Sequence, residues 1–297
     1  MRMVVHAARN APVIAAAGDE GKVQIWNFDT GERLSEFVTV CDDGSRLALS
    51  ATGETLIAAN WRKGKRAGVA CYETGSGKPI WHRPDLRQVQ HMKFSAQGDW
   101  VWCQIDSRPV HCLDARTGST VKIWRTIQDV LDSPFSPHIL LLRRTDFVIR
   151  SQTKSVSVPR LSRSGLEAAF GPDTVCVCEF SNPTVLPVIT VQGIVRCLEF
   201  GSGGEHWRYQ PPDGHWMQLI SYQDDQYFYG VQSGYEQGRR NVALIRLSSD
   251  EGLCAELCRL SPPPYFGGFG AGVLVTPEGE VVSLQTGEII RRLPFSA

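Results

Sequence analysis

The feature that most constrains this chain is a turn that keeps returning. At 26–34, "WNFDTGERL" closes one apolar run, turns through Asp29-Thr30-Gly31 and opens another. Clear variants stand at 72–77 (YETGSG), 114–119 (DARTGS) and 283–288 (SLQTGE), with looser ones at 151–155, 200–205 and 247–252. A second motif, an apolar run broken by a short turn, falls between successive copies. It is clear at 49–56 (LSATGETL), 94–101 (FSAQGDWV), 135–142 (FSPHILLL) and 180–187 (FSNPTVLP), and looser at 8–15, 221–228 and 269–276. The two series interleave, seven of each, with a period of about 44 residues.

A period of about 40–45 residues holding four short strands is what a β-propeller blade requires. One four-stranded sheet cannot bury both faces, whereas several stacked around an axis can, and the ring leaves only short edges. The 28 glycines and 17 prolines punctuate turns, and no segment sustains a 3.6-residue periodicity. A pair of β-sandwiches or a solenoid does not explain two interleaved series. The expected fold class is therefore all-β: one seven-bladed β-propeller domain over 1–297, with four antiparallel strands, a to d, per blade. The blades fall at 1–38, 44–83, 88–126, 129–160, 174–210, 215–260 and 265–296. The segment 161–173 is the longest connection. The chain starts on strand a of the first blade and ends on strand d of the last, "EIIRRLPF", so no strand is expected to cross between them.

Composition narrows the functional classes. Thirty-one Lys and Arg balance 31 Asp and Glu, which argues against a global pull toward nucleic acid or an anionic membrane. No apolar run approaches the roughly 20 residues of a membrane-spanning helix. Arg9 and Asn10 interrupt the opening apolar stretch, which reads as a strand rather than a signal peptide. The nine cysteines (41, 71, 103, 112, 176, 178, 197, 254 and 258) are odd in number and mostly sit in apolar strand-like runs. They read as reduced, buried side chains and not as a disulfide framework. Cys176 and Cys178 could share one face of a strand, but no second Cys or His pair lies nearby. A cytoplasmic location is expected.

The stretch "AAAGDEGKVQIWNFDTGERLSEF" at 15–37 resembles a WD40 repeat, with Asp19-Glu20-Gly21 as the Asp-x-Gly turn, Val23–Trp26 as the third strand and the Thr-Gly turn after it. "FSPH" at 135–138 resembles that family's first turn. The likeness is strong in the first blade and weak elsewhere. The Gly-His dipeptide is missing throughout, and although Trp26 follows an Ile as the family's final Trp would, Trp124, which also follows one, falls in a fourth strand. Most WD40 rings share one strand at closure, so the expected arrangement departs from the family. A second, weaker resemblance is to the repeats of quinoprotein propellers, in "YETGSGKPIW" at 72–81 and "LEFGSGGEHW" at 198–207. It implies that Trp81 and Trp207 dock neighbouring blades. Such quinoproteins are exported enzymes with calcium and acidic ligands, and this sequence offers neither an export signal nor a paired-acid constellation.

No motif for chemistry stands out: there is no G-x-S-x-G, Walker loop, H-E-x-x-H or G-x-G-x-x-G. "GGFGAG" at 267–272 falls in an expected inner strand, where glycine permits close packing. The seven histidines are scattered. His6 and His91 fall on expected inner strands and could approach the central channel. No catalytic residue, cofactor or metal is expected.

One pattern rises above this background. The b–c turns, which share a rim with the d–a loops, are basic. They carry Trp61, Arg62, Lys63, Lys65 and Arg66 in the second blade, Arg108 in the third, Arg143 and Arg144 in the fourth, and Tyr235, Arg239 and Arg240 in the sixth. Asp42, Asp43 and Asp129, in expected d–a loops, offset part of this charge. Arg and aromatic residues dominate interface energetics, so these eleven residues are the candidate partner-binding set. The expected function is a non-catalytic protein–protein interaction scaffold that grips an acidic protein or peptide, alone or within a larger complex. Nucleic acid is the second choice of partner, for which more interleaved aromatics would be needed. A propeller enzyme of quinoprotein or lactonase type is third. No membrane partner is expected.

Overall fold

The computed structural model describes residues 3–18, 21–39, 46–60, 68–105, 109–125, 127, 129–132, 138–142, 147–151, 174–177, 185–190, 192–199, 204–223, 226–236, 239–260 and 268–295. Among these, every regular element is a β-strand, and the strands form seven antiparallel sheets, each from strands consecutive in sequence. The first sheet holds β1 (Val4–Ala7), β2 (Val13–Ala17), β3 (Lys22–Asn27) and β4 (Arg33–Val38). The second holds β5 (Arg46–Leu49), β6 (Thr55–Ala59), β7 (Val69–Glu73) and β8 (Pro79–Arg83). The third holds β9 (Val89–Phe94), β10 (Trp100–Ile105), β11 (Val110–Asp114) and β12 (Thr120–Trp124). The fourth shows three strands, β13 (Asp129–Asp132), β14 (His138–Leu142) and β15 (Phe147–Ser151); the fourth strand expected before residue 160 lies outside the described residues. The fifth holds β16 (Thr174–Val177), β17 (Val185–Thr190), β18 (Val195–Glu199) and β19 (Glu205–Tyr209). The sixth holds β20 (His215–Gln223), β21 (Tyr227–Glu236), β22 (Arg239–Ser248) and β23 (Cys254–Arg259). The seventh holds β24 (Gly268–Gly270), β25 (Val273–Val275), β26 (Glu280–Ser283) and β27 (Ile289–Arg292). Each sheet lies inside one of the seven intervals read from the repeat.

The recurring turn has a local cause. Asn27 Oδ1 accepts from the amides of Asp29 and Thr30 at 2.9 and 3.1 Å, and Thr30 Oγ1 accepts from Glu32 N at 3.2 Å. Asp114 and Thr117 repeat this arrangement between β11 and β12, and Ser283 and Thr286 repeat it between β26 and β27. Short polar side chains thus stand in for backbone acceptors and hold the turn. Gly31 and Gly118 then take φ of +76° and +68°, a left-handed conformation that a Cβ resists.

The chain divides into two compact units, residues 1–128 with 264–297, and residues 129–263. In the first unit the seventh, first, second and third sheets stack face to face in that order. Alternation along β2 explains how: Ile14 and Ala16 pack with Val273, Val275 and Val281 of the seventh sheet, while Ala15 and Ala17 pack with Leu47, Leu56 and Ala58 of the second. A strand covered on both faces reads as a continuous apolar run, as "VIAAA" does. Ile57, Val69 and Cys71 of the second sheet meet Val101, Cys103 and Leu113 of the third. The first and seventh sheets are each built from their own strands, as the sequence suggested. They meet closely: a Cβ on Gly270 would lie 2.4 Å from Ala8 O, and one on Gly268 2.8 Å from Ala7 N. That is the close-packing role expected of the Gly-rich stretch. In the second unit, Ile189, Val195, Cys197 and Trp207 of the fifth sheet pack on Met217, Phe228, Ala243 and Ile245 of the sixth.

All six four-stranded sheets share an irregularity that the sequence did not announce. One residue of the outer strand is skipped by the ladder: Leu34, Ile80, Val121, His206, Leu257 and Ile290. Such a bulge re-aims the side chain that follows. In four sheets that next residue reaches the turn before the outer strand of the following sheet. Trp81 Nε1 donates to Ala115 O and Trp207 Nε1 to Ser249 O, each at 2.8 Å, and Ser35 Oγ donates to Thr74 O. Arg291 donates through Nη1 to Thr30 O at 3.1 Å and through Nη2 to Asp29 O. The docking role implied for Trp81 and Trp207 is thus present, and Ser35 and Arg291 serve the same position with other chemistry.

Candidate functional site

Of the eleven candidate residues, Trp61, Arg62, Lys63, Lys65, Arg66, Arg108, Arg143 and Arg144 lie outside the described residues. In chain order they fall between β6 and β7, between β10 and β11, and between β14 and β15. Tyr235, Arg239 and Arg240 belong to the β21–β22 hairpin, whose ten-residue strands exceed those of the other sheets. Cross-strand register places Tyr235 opposite Arg240 and Glu236 opposite Arg239.

The described part of this site is an aromatic pair. Tyr235 is 61% exposed, and its ring stands 5.9 Å from that of Trp216 on β20, tilted by 40°. Sequence reading missed Trp216 because it precedes the first strand's apolar run by chain position and joins Tyr235 only through sheet pairing, opposite Ser233. Its support comes from two directions. The His215 ring lies over Gly234, where a Cβ would come within 2.1 Å of it. The turn at Gly193 in the fifth sheet presses against the Trp216 Cβ, and Gly193 O accepts from Met217 N at 3.0 Å. Gly193 has φ +74°, so the approach needs glycine on two counts. The result is a rigidly seated, half-buried indole with an exposed phenol beside it and the half-buried Arg240 across the hairpin. Two tilted rings with an arginine opposite Tyr235 in the ladder offer stacking and apolar area to a partner.

His6 has a structural task. His6 Nδ1 accepts from Leu49 N at 3.3 Å, tying β1 to β5. Burial, and after it the charge of Arg9, pull its pKa down from 6.5 to about 4. Four cysteines, Cys71, Cys103, Cys112 and Cys197, are buried free thiols whose pKa burial pushes up to about 12, as apolar packing groups should be.

Four-stranded sheets of consecutive strands, stacked face to face and latched at the turns, define a β-propeller of WD40 type. The comparisons agree on the fold. The β-propeller domain of Cps50 (Swd1) from Myceliophteria thermophila superposes with a TM-score of 0.60 at 12% identity, over 96% of this chain and 94% of that one. U3-55K gives 0.62 at 12% identity over 93% and 88%. The WD40 domain of SCAP from fission yeast gives 0.52 at 10% identity over 87% and 69%. No protein-family model and no curated protein matches the sequence.

Proposed function

We propose that this chain is a non-catalytic interaction scaffold, its seven sheets being the blades of one propeller, and that it holds an acidic protein surface or peptide on the rim formed by the b–c connections. The observation that carries this reading is the Trp216–Tyr235 pair with Arg240 opposite Tyr235, aromatic and basic residues on the longest hairpin among the described residues. Residues of these types, seated on rigid strands, are what interface hot spots are made of. Arg62, Lys63, Lys65, Arg66, Arg108, Arg143 and Arg144 fall in the corresponding connections of three other sheets by chain order and extend the same chemistry. Rigid platforms of this fold bind through their loops while the stacked sheets hold those loops in place.

The test is a paired affinity capture from native lysate. One bait is the wild-type chain; the second carries Arg62, Lys63, Lys65 and Arg66 changed to Glu; the third carries Tyr235→Ala with Arg240→Glu, each checked for an unchanged melting temperature. A protein held by the first and lost from the others supports the rim. Equal capture by all three overturns it. Capture of nucleic acid, with affinity falling steeply as salt rises, replaces the acidic protein with the second choice of partner.

A further inference from the structure

The outer strand of every four-stranded sheet leaves one hydrogen-bonding edge unpaired, and such edges invite another strand unless they are blunted. Five of the six are. On β4, Glu36 pairs with Lys22 at 2.9 Å and Arg33 at 2.7 Å. β8 opens on Pro79 and ties Arg83 to Asp85 at 2.7 Å. On β19, Glu205 holds Arg196 at 2.6 Å and Arg208 at 2.9 Å; on β23, Glu256 holds Arg259 at 3.3 Å; on β27, Arg292 reaches Glu280 at 3.1 Å. Internal charge pairs of this kind satisfy the strand's own side chains.

β12, Thr120–Trp124, is different. Among the described residues it pairs with β11 alone, and Thr120, Val121, Lys122 and Ile123 are all exposed, Val121 by 52% and Ile123 by 46%. Among the described residues neither Lys122 nor the adjacent Arg125 has a carboxylate within salt-bridge distance. The nearest acid in the strand pair, Asp114, is occupied by the amides of Arg116 and Thr117. The edge is therefore aliphatic and purely basic. A second copy of this chain would bring the same basic strand, and Lys opposite Lys repels.

We propose that the β12 edge receives an extended segment of a partner protein as a fifth strand, one in which aliphatic and acidic residues alternate. Main-chain hydrogen bonds to the open edge supply affinity, as in other strand-addition complexes. Aliphatic side chains of the segment cover Ile123 and Val121 on one face, and its carboxylates meet Lys122 on the other, with Arg125 adding positive charge at the strand end. The bulge at Val121 ends the regular edge, so the added strand is short and pairs along the Lys122–Arg125 end. Binding at the open β12 edge, in the third sheet, does not depend on the Trp216–Tyr235 pair of the sixth.

The probe is a fluorescently labelled, end-capped peptide of sequence Glu-Val-Glu-Val-Glu-Val, titrated with the full chain and followed by anisotropy. Saturable binding is expected, weakened by at least about tenfold in the double variant Lys122→Glu, Arg125→Glu, and absent when alternate peptide amides are N-methylated, since methylation removes the main-chain donors without touching the protein. Amide hydrogen exchange should slow within 120–125 on binding. Three results would overturn the proposal: no binding of the acidic peptide, binding unchanged by the β12 substitutions, or loss of binding instead in Arg239→Glu, Arg240→Glu, which would move the peptide to the rim.

Discussion

Trp81, at the end of the second sheet, donates its indole N–H to the carbonyl oxygen of Ala115, in the last turn of the third sheet, at 2.8 Å. Its ring covers Gly118 of that turn, and Trp207 treats Ser249 and Gly252 in the same way. One residue thus closes the outer end of an otherwise apolar interface and satisfies a turn carbonyl. Replacing Trp81 with Ala should cost about 3–5 kcal/mol of stability. Trp81→Phe keeps most of the ring and loses the donor, and should cost about 1 kcal/mol. Urea titrations of the two variants measure the difference; equal losses would mean that the ring contributes nothing beyond the hydrogen bond.

Two glycines separate backbone strain from contact. Gly98 and Gly118 both have positive φ, +81° and +68°, but a Cβ on Gly98 meets nothing within 4 Å while one on Gly118 lies 2.6 Å from Trp81. Gly98→Ala should lose about 1 kcal/mol, the left-handed penalty alone. Gly118→Ala should lose a further 1–3 kcal/mol or so, from displacing the indole. Thermal melts of the pair decide it.

At the junction of the seventh and first sheets, Arg291 takes the place of the tryptophan, over Gly31 and bonded to the carbonyls of Asp29 and Thr30. Arg291→Ala should destabilise by about 1 kcal/mol, since the pairing is partly solvated. Arg291→Trp should recover the loss, because Gly31 offers the seat that Gly118 and Gly252 offer elsewhere. Limited proteolysis of the terminal strands, read against the melting temperature, tests both.

His6 makes stability depend on mild acidity. Its folded pKa of about 4 lies below the unfolded value of 6.5, so the native state binds fewer protons than the unfolded one as pH falls. Its contribution is complete above pH 6.5 and is lost progressively down to about 4, by at most about 3 kcal/mol. Burial lowers the His111 pKa too, adding in the same direction. The carboxylates of Asp85, Asp114 and Glu205, whose folded pKa values are depressed by their partners, act at lower pH. Denaturant midpoints at pH 7 and pH 4.5 should differ less in His6→Asn, which keeps an acceptor for Leu49 N but does not titrate, than in the wild type. An unchanged difference would remove His6 from the account.

Ser233 is fully buried opposite Trp216, and its hydroxyl has no hydrogen-bond partner among the described residues. An unmet buried hydroxyl is a cost. Ser233→Ala should therefore leave stability unchanged or raise the melting temperature slightly; a clear loss would reveal a partner for the hydroxyl.

Most of the fold was legible in the sequence because its causes are local. The Thr-Gly turns are held by side chains two or three residues away, as Asn27 and Thr30 hold theirs, and strand alternation shows at every second position. The resemblance to WD40 repeats and the expected docking of Trp81 and Trp207 also rested on short stretches. The site was legible only in part. Tyr235, Arg239 and Arg240 stood out by composition, whereas Trp216, nearly twenty residues earlier, reaches Tyr235 only through the β20–β21 register.

By itself the sequence determined the repeat and the strand-and-turn grammar, since each follows from neighbouring residues. Only the tertiary structure decided which side chains meet across sheets. The bulge ahead of Ser35, Trp81, Trp207 and Arg291 is set by ladder pairing, and it turns three kinds of side chain toward backbone carbonyls of the same turn in the next sheet. The same bulge leaves Val121 in solvent beside a basic edge. Contacts of this kind depend on backbone geometry summed over several strands, which no single stretch of the chain encodes.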